Sequence, residues 1–320
     1  MQLSIIIVNY KAWVHLEHAL DVLREGMPDD WEVIVVDNES EARRLDPFKQ
    51  RYSWVTFVAN PANSGFAFGN NLGAAKASGE YLLFMNPDVV ARCSELHRLL
   101  EAKKELPEVA ILAPMQVDSK GRRQKVFDRF PTMLSQSKTL KALSKWFTGA
   151  KYPDPRTVND ELAYCDWVSG SVFMIDRAKY DELGGWSQDY WMYVEDTDFC
   201  WRATKRGWRV ACLPTVVVTH VHGGSSRSNP AVAAMTKLEV MISKHVFVGK
   251  HFSPPKRQLT HFFLVTLRLP PLMLASLANL ITLGRVEQLV IRSSIFRRLL
   301  VYYKNVLRTG SWRSPRSLAN

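Results

Sequence analysis

The sequence has few of the features that mark disulfide-rich, zinc-bound or secreted chains. Only four of its 320 residues are cysteines, and no two of them form a CxxC pair. We therefore expect reduced, buried thiols, and neither a disulfide framework nor a structural zinc site. The N-terminus lacks a basic segment before its short apolar run. We expect this run to be the buried first strand of a cytoplasmic protein and not a signal peptide.

No glycine-rich loop follows the predicted first strand. The dinucleotide-binding fingerprint places GxGxxG at that point, and a nucleotidyltransferase needs a basic, glycine-rich triphosphate loop there. Residues 9–13 contain one lysine and no glycine. The absence excludes the dinucleotide fingerprint and argues against a nucleotidyltransferase, which we keep as an alternative.

A long uninterrupted apolar segment is also missing. Residues 259–283 are strongly apolar, but Arg268 and Pro270-Pro271 interrupt them. A membrane-spanning helix needs about 20 apolar residues, and neither half reaches that length. We therefore expect two helices that lie at a membrane interface or pack against the core or another subunit.

Acidic residues are scarce only in the last part of the chain. Residues 226–320 contain 15 lysines and arginines against two acids, a balance of +13, whereas residues 1–225 contain 27 against 29, a balance of −2. A basic tail suits an anionic surface of lipid or nucleic acid. The long aliphatic runs between its aromatic residues favour lipid. We expect a cytoplasmic protein, peripheral on the inner face of the plasma membrane, with no nucleic-acid partner. A homo-oligomer interface is the alternative use of these helices.

The first two thirds of the chain show the pattern of an α/β protein. Short branched apolar runs end in polar residues, and helical periodicity at residues 14–25 separates the first two of them. Continuous apolar strands indicate a mostly parallel sheet covered on both faces. Strands are predicted at residues 3–9, 32–37, 55–58, 81–85, 163–176 (with Gly170 at its centre) and 216–220, and further helices at residues 66–78 and 195–206.

Polar side chains stand at the ends of three of these strands. Asn9, Asp37 and Asp88 lie at or just after a strand end, where ligands of open α/β sheets bind. Asp88 offers a hard oxygen ligand for Mg²⁺ or Mn²⁺, and Asn86 offers an amide oxygen. Asn86-Pro87-Asp88 is also a turn signature, and the alternative role of Asp37 is to cap a helix or turn. Their convergence on one edge predicts a binding site.

Acids and histidines later in the chain are candidates for proton transfer and metal binding. Glu195 and Asp196 open a predicted helix directly after the aromatic run at residues 190–193. Aromatic rings beside carboxylates suit a sugar, although acids at a helix start also complement the helix dipole. His220 and His222 follow a predicted strand and are candidate metal ligands.

Taken in this order, the motifs resemble those of the family 2 inverting glycosyltransferases, in particular the bacterial rhamnosyltransferase-type branch that builds cell-surface polysaccharides. The resemblance covers residues 3–226. It implies a GT-A fold, a mixed, mostly parallel sheet flanked by helices, over residues 1–226, and leaves a basic, apolar helical extension over residues 227–320. The matching segments are SIIIVNY (4–10), VVDNES (35–40), NSGFAFGNN (63–71), FMNPDV (84–89), WVSGS (167–171), YVEDTDFCWR (193–202) and HVHGGSS (220–226).

The resemblance also implies a chemistry and its residues. A sugar such as rhamnose would pass from a dTDP- or UDP-linked donor to a saccharide or polyprenyl-linked saccharide. Asp196 matches the base, while Asp88 and His220, or His222 in its place, match ligands of Mg²⁺ or Mn²⁺. The residues expected to bind the nucleotide sugar are Val8, Asn9, Tyr10, Asp37, Asn63, Gly65, Phe66, Asn70, Asn86 and Asp88. Those expected to bind the acceptor or sugar are Trp167, Gly170, Tyr193 and Glu195. A non-catalytic sugar-nucleotide-binding module is the second alternative.

Overall fold

Apolar strands near the N-terminus form the centre of a mixed sheet. The computed structural model describes residues 1–39, 42–136, 154, 158, 161–221 and 230–318. Its strands are β1 (Leu3–Asn9), β2 (Trp31–Asn38), β3 (Val55–Asn60), β4 (Tyr81–Met85), β5 (Val89–Val90), β6 (Val109–Val117), β7 (Phe127–Asp128), β8 (Ala163–Cys165), β9 (Trp167–Val168), β10 (Val172–Asp176) and β11 (Arg209–His220). Its helices are α1 (Trp13–Arg24), α2 (Ala42–Arg51), α3 (Gly65–Ala74), α4 (Cys93–Lys104), α5 (Arg177–Leu183), α6 (Glu195–Lys205), α7 (Pro230–His251), α8 (Pro254–Ile281) and α9 (Glu287–Thr309).

The strand order brings the predicted strand ends to one edge. Within the described residues the main sheet runs β3-β2-β1-β4-β10-β6-β11-β5, with β8 paired to β11, and β7 pairs with β9 separately. β1 is parallel to β2 and β4, and β2 is parallel to β3. β10 runs antiparallel to both β4 and β6, while β6 and β11 are parallel. The predicted mixed sheet flanked by helices is confirmed.

Two apolar layers cover the sheet. Successive side chains of a strand point to opposite faces, so Ile5 and Ile7 join one core cluster and Ile6 joins the other. The second cluster contains closely packed aromatic rings, with the centroids of Trp186 and Phe199 4.8 Å apart. All four cysteines are free, and three of them are buried, as the sequence predicts.

The stretch 163–176 is not the single strand that the sequence predicts. It forms β8, β9 and β10, and Gly170 lies in the turn that leads into β10. The pattern of apolar residues is continuous enough for one strand, but the backbone N–H of Gly170 donates to a side chain, Asp196 Oδ2, instead of to a neighbouring strand. The turn therefore serves the site described below.

The chain divides into two compact units. As far as their ranges are described, the first comprises Met1–Phe130, Tyr152–Gln188 and Glu195–Ser225, and the second comprises Pro131–Lys151, Asp189–Val194 and Ser226–Asn320. The first unit holds the sheet with α1–α6, and the second holds α7–α9. The sequence does not predict that segments 131–151 and 189–194 belong to the helical unit.

The prediction of two helices within 259–283 is wrong, because α8 runs unbroken through Pro270 and Pro271. Neighbouring helices hold it: Arg268 Nη1 donates to the carbonyl of Met241 on α7 at 3.3 Å, and the hydroxyls of Ser276 and Ser293 join α8 to α9 at 3.0 Å. Packing thus outweighs the lost backbone hydrogen bonds. Among the described helices α8 alone is long and apolar enough to cross a membrane, with a mean hydropathy of 1.6 over 18 residues.

Candidate active site

The first two strand ends carry a buried pair of polar side chains. Asn9 and Asp37 stand opposite each other in the parallel register of β1 and β2. Asn9 Nδ2 donates to Asp37 Oδ1 at 3.2 Å, and Asn9 Oδ1 accepts the N–H of Ala12 at 3.2 Å. Asn9 therefore orders the loop after β1 and orients Asp37 at the edge of the sheet.

Asn38, at the end of β2, forms hydrogen bonds with two further predicted site residues, Asn63 and Gly65. Its Nδ2 donates to Asn63 Oδ1 at 3.2 Å and to the carbonyl of Gly65 at 3.1 Å. Gly65 has a φ of 87°, a left-handed conformation that favours glycine. Asn38 is not among the site residues predicted from the sequence. Its position at the end of β2, directly after Asp37, could have indicated it.

The remaining residues of segment 63–71 mostly contact the protein itself. Asn70 Nδ2 donates to the carbonyl of Phe66 at 2.9 Å inside α3. A Cβ at Gly69 would lie 2.8 Å from Val8 Cγ1, so this glycine lets α3 approach β1, and the side chain of Val8 packs beneath the helix. Tyr10 lies at the strand end with its ring centroid 5.0 Å from Lys11 Nζ. The roles of these residues in nucleotide binding stay predictions.

Asp88 and His220 are brought together by the pairing of β5 with β11, in which His220 stands opposite Val89. His220 Nε2 lies 3.2 Å from Asp88 Oδ1. On the other side of the ring, Nδ1 lies 2.8 Å from Oε1 of the buried Gln116, an acceptor, so Nδ1 carries the proton. Sequence reasoning missed Gln116, because no strand was predicted at residues 109–117 and an amide near the end of an apolar run gives no local signal of its partner.

The pair of Asp88 and His220 fits a divalent cation. With the proton on Nδ1, the lone pair of Nε2 faces a carboxylate, an arrangement that a cation between them would stabilise. No third His, Cys, Asp or Glu completes the group among the described residues. His222 lies outside them.

Ser171 links this pair to the strand end at Asn86. Its Oγ donates to Gln116 Oε1 at 2.9 Å, and its carbonyl accepts the N–H of Asn86 at 2.7 Å. The amide oxygen of Gln116 therefore receives two hydrogen bonds, one from Ser171 and one from His220. Ser171 belongs to the predicted WVSGS motif but was not itself predicted as a site residue.

Asp196 accepts a hydrogen bond from Gly170, the residue before Ser171 in the same turn. Its Oδ2 accepts the N–H of Gly170 at 3.0 Å, and its Oδ1 accepts the N–H of Thr197 at 2.7 Å. Burial raises the pKa of Asp196 and these hydrogen bonds oppose the rise. A carboxylate with raised proton affinity and a fixed orientation is suited to accept a proton from a hydroxyl.

The other predicted sugar-binding residues differ in their surroundings. A Cβ at Gly170 would lie 3.2 Å from Asp196 Cβ and 3.5 Å from the ring of Phe66, so Phe66 reaches the turn. Glu195 is 6% exposed and its Oε2 has no hydrogen-bond partner among the described residues. Trp167 Nε1 donates to the carbonyl of Arg129 at 3.0 Å. Tyr193 belongs to the second unit and has a left-handed φ of 70°.

Solved structures with a similar sheet are glycosyltransferases of the GT-A type. The mannosyltransferase PcManGT of Pyrobaculum calidifontis, solved with GDP-Man and Mn²⁺, matches 96% of this chain and 88% of that one at a TM-score of 0.52 and 18% identity. GalNAc-T7, solved with UDP, GalNAc and Mn²⁺, matches at a TM-score of 0.56 and 16% identity. That match covers 78% of this chain and 48% of the other, about half its length. These similarities define the fold class.

Within that class, the chain belongs to glycosyl transferase family 2, whose sequence model matches residues 4–183. It is 26% identical over 251 residues to the N-acetylglucosaminyl-diphospho-decaprenol L-rhamnosyltransferase of Mycobacterium tuberculosis, covering 72% of this chain and 79% of that protein. It is 25% identical over 236 residues to rhamnosyltransferase WbbL of Escherichia coli, covering 70% and 85%. The family predicted from the motifs is confirmed.

Proposed function

We propose that the chain is an inverting, divalent-metal-dependent transferase that moves rhamnose from a dTDP- or UDP-linked donor to a polyprenyl-linked saccharide. The observation that carries the proposal is the turn of Gly170 and Ser171. The N–H of Gly170 donates to Asp196, and the hydroxyl of Ser171 donates to Gln116. Gln116 in turn accepts a hydrogen bond from His220 and so orients that ring beside Asp88. The proposed base and the proposed metal ligands are thereby both linked to one short segment of backbone. The names of the two rhamnosyltransferases suggest the sugar and the lipid-linked acceptor.

In this proposal Asp196 takes the proton of an acceptor hydroxyl, and the hydroxyl oxygen attacks the anomeric carbon from the face opposite the diphosphate. The N–H groups of Gly170 and Thr197 hold the carboxylate in place while it does so. Asp88 and His220 would hold Mg²⁺ or Mn²⁺, whose charge stabilises the departing diphosphate. Asn9 and Asn38 order the loops that present Asp37 and Gly65 to the nucleoside.

The basic second unit supports a location at the cytoplasmic face of the plasma membrane. Residues 226–320 carry a charge balance of +13, and many apolar side chains of α8 are exposed. A peripheral contact brings an enzyme to a lipid-linked acceptor, and anionic headgroups attract lysine and arginine. A self-association interface remains the competing use of this surface.

The test is a donor screen with the full chain, in which release of nucleoside diphosphate is measured with and without Mn²⁺ or Mg²⁺ and with an N-acetylglucosaminyl-diphospho-lipid as acceptor. Asp196→Asn is expected to lower turnover by about 10²–10⁴-fold, while metal-dependent donor binding is retained. Asp181→Asn, the same change at an exposed carboxylate of α5, is the matched control. Undiminished turnover in Asp196→Asn would refute the assignment of the base. Donor binding without turnover in the wild type would favour a binding module, and release of pyrophosphate a nucleotidyltransferase.

A further inference from the structure

The second unit contains a pocket that is separate from the residues discussed above. Its volume is about 610 Å³, within the range of roughly 300–1,000 Å³ that is typical of small-ligand sites. The last turn of α7, the first two turns of α8 and the segment after α9 form its walls. Its charged residues are Asp189, Lys250, Arg257 and Arg313. We name it the basic pocket.

The charges of the basic pocket are not balanced within it. Asp189 forms ion pairs with both Lys250 and Arg313, the second at 3.0 Å from Nε to Oδ1. Arg257 makes no ion pair among the described residues, and its Nη1 donates only to the carbonyl of Gly249, at 3.4 Å. Arg257 also stands in the first turn of α8, where the helix dipole disfavours a cation. The helix therefore does not explain its position, whereas a bound anion does.

A buried imidazole with an unpartnered ring nitrogen, among the described residues, lines the same pocket. His261 is 6% exposed, and its Nε2 has no hydrogen-bond partner among the described residues. Its Nδ1 lies 2.9 Å from Nδ1 of His245, whose Nε2 lies 3.0 Å from the hydroxyl of Tyr303. If Tyr303 donates to His245, and His245 donates to His261, the remaining proton of His261 is on Nε2. Burial, followed by the charge of Arg257, lowers the pKa of His261 to about 4, so the ring is neutral at pH 7.

Gly249 keeps the space beside this imidazole open. A Cβ at Gly249 would have only two heavy atoms within 4 Å, His261 Nε2 and Trp312 Cβ, each at 3.9 Å. Trp312 stacks on His261 with ring centroids 3.8 Å apart and an interplanar angle of 5°, which fixes the orientation of the imidazole. The methyl group of an alanine at position 249 would therefore enter the pocket without a clash.

An apolar surface begins where the basic pocket ends. Phe262 follows His261 on α8 and is 61% exposed. Further along the helix Leu274 and Ile281 are 62% and 83% exposed. A ligand with an anionic head and a long apolar chain matches both features. We propose that the basic pocket binds the phosphate head group of a lipid whose hydrocarbon chain lies along the exposed side of α8.

Calorimetric titration of the full chain tests this site without any transfer reaction. The probes are dihexanoyl phosphatidic acid and geranyl diphosphate, each below its micelle-forming concentration, with inorganic phosphate as the head-group probe. Arg257→Gln is expected to weaken binding of the lipid phosphate about tenfold or more, because a charged hydrogen-bond donor is lost. Gly249→Ala is expected to weaken it comparably without lowering Tm, since alanine favours a helix. Arg308→Gln removes the same charge at an exposed position outside the pocket and is expected to change binding less than about twofold.

The comparison of the two lipid probes identifies the lipid class, since the one that binds more tightly has the matching head and chain. Three results would overturn the proposal. The first is that neither lipid phosphate binds. The second is that inorganic phosphate binds as tightly as the lipids, which would leave no role for the apolar surface. The third is an equal loss in Arg308→Gln and Arg257→Gln, which would show diffuse charge attraction in place of a pocket.

Discussion

In the first unit some carboxylates of the candidate site stand at the end of a strand or the start of a helix and accept hydrogen bonds from neighbouring segments, whereas in the second unit buried ionisable groups lie inside helices. Asp37 and Asp196 belong to the first kind. His245, His261 and Glu239 belong to the second. Residues 1–225 are close to neutral in sequence, whereas residues 226–320, which contain all three helices of the second unit, are strongly basic.

Fixed geometry and net charge are thus separate means of binding a polar ligand. The first unit positions single groups through backbone N–H donors and amide side chains, so small displacements should change its activity strongly. The second unit presents many cations at exposed positions of α9, where single removals should have small effects. Single substitutions in each unit test this contrast.

Gly170→Ala should produce the largest effect. The added Cβ would lie 3.2 Å from Asp196 Cβ, so the turn or the carboxylate must shift by a few tenths of an ångström. We expect turnover to fall about 10- to 10²-fold, the upper value being the cost of a misplacement near 1 Å, while Tm and donor affinity change little. Steady-state kinetics with calorimetric donor binding checks this. Loss of donor affinity with unchanged kcat would contradict the role of Gly170 as a support for the base.

Gln116→Ala should weaken the proposed metal site. The variant removes the acceptor of the His220 Nδ1 proton and of the Ser171 hydroxyl. Loss of a residue that orients a metal ligand typically weakens metal binding about 10–100-fold. We expect the Mn²⁺ concentration for half-maximal turnover to rise by that factor, with activity recovered at saturating metal. Gln116→Glu retains an acceptor oxygen and should lose less. An unchanged metal requirement in Gln116→Ala would show that Gln116 is only structural.

The sequence predicts most of the first unit's site, because its signals are local. Asn9, Asp37 and Asp88 each follow an apolar run, and the position of a strand end is readable from the run itself. Gln116 and Ser171 were missed because their partners are distant in sequence, and only the strand order brings them together. The mixed sheet was also predictable, because apolar runs mark its strands locally. The turn at Gly170 was not, because it depends on a contact with the distant Asp196.

Glu195→Gln should change stability with pH. Burial, followed by the charge of Asp196, raises the pKa of Glu195 well above its ordinary value of 4.5. Above pH 4.5 the unfolded chain releases this proton and the folded chain keeps it. The free energy of unfolding therefore falls as pH rises, by at most about 1.4 kcal/mol per pH unit for one group. The variant lacks this loss, so its Tm should exceed that of the wild type more at pH 8 than at pH 5.

Thermal unfolding across this pH range, with the exposed Glu182→Gln of α5 as control, measures the difference. Glu239, whose pKa is also raised by burial, contributes a slope of the same sign in the wild type and in both variants. It therefore cancels in the comparison. Parallel Tm profiles for the wild type and Glu195→Gln would mean that Glu195 is ionised in the folded protein.

The second unit was less predictable. The composition of residues 226–320 indicates helices and a basic surface, but the stacking of His261 on Trp312 joins residues 51 positions apart. The unbroken course of α8 also depends on partners in other helices, since Arg268 bonds to Met241. Two consecutive prolines usually end a helix because they remove backbone hydrogen bonds. Here α8 continues through them because contacts with other helices stabilise it.

Phe262→Ser should have the smallest effect on stability and separates the two faces of α8. Phe262 is 61% exposed, whereas Leu264, two residues along the same helix, is 1% exposed. Leu264→Ala is expected to cost about 2–5 kcal/mol of unfolding free energy, and Phe262→Ser less than about 0.5 kcal/mol. Because an exposed aromatic side chain gains free energy on entering a bilayer, Phe262→Ser should nevertheless reduce co-sedimentation with anionic vesicles by a few fold. Unchanged vesicle binding, together with a smaller sedimentation coefficient for the variant, would instead assign this face to contact between copies of the chain.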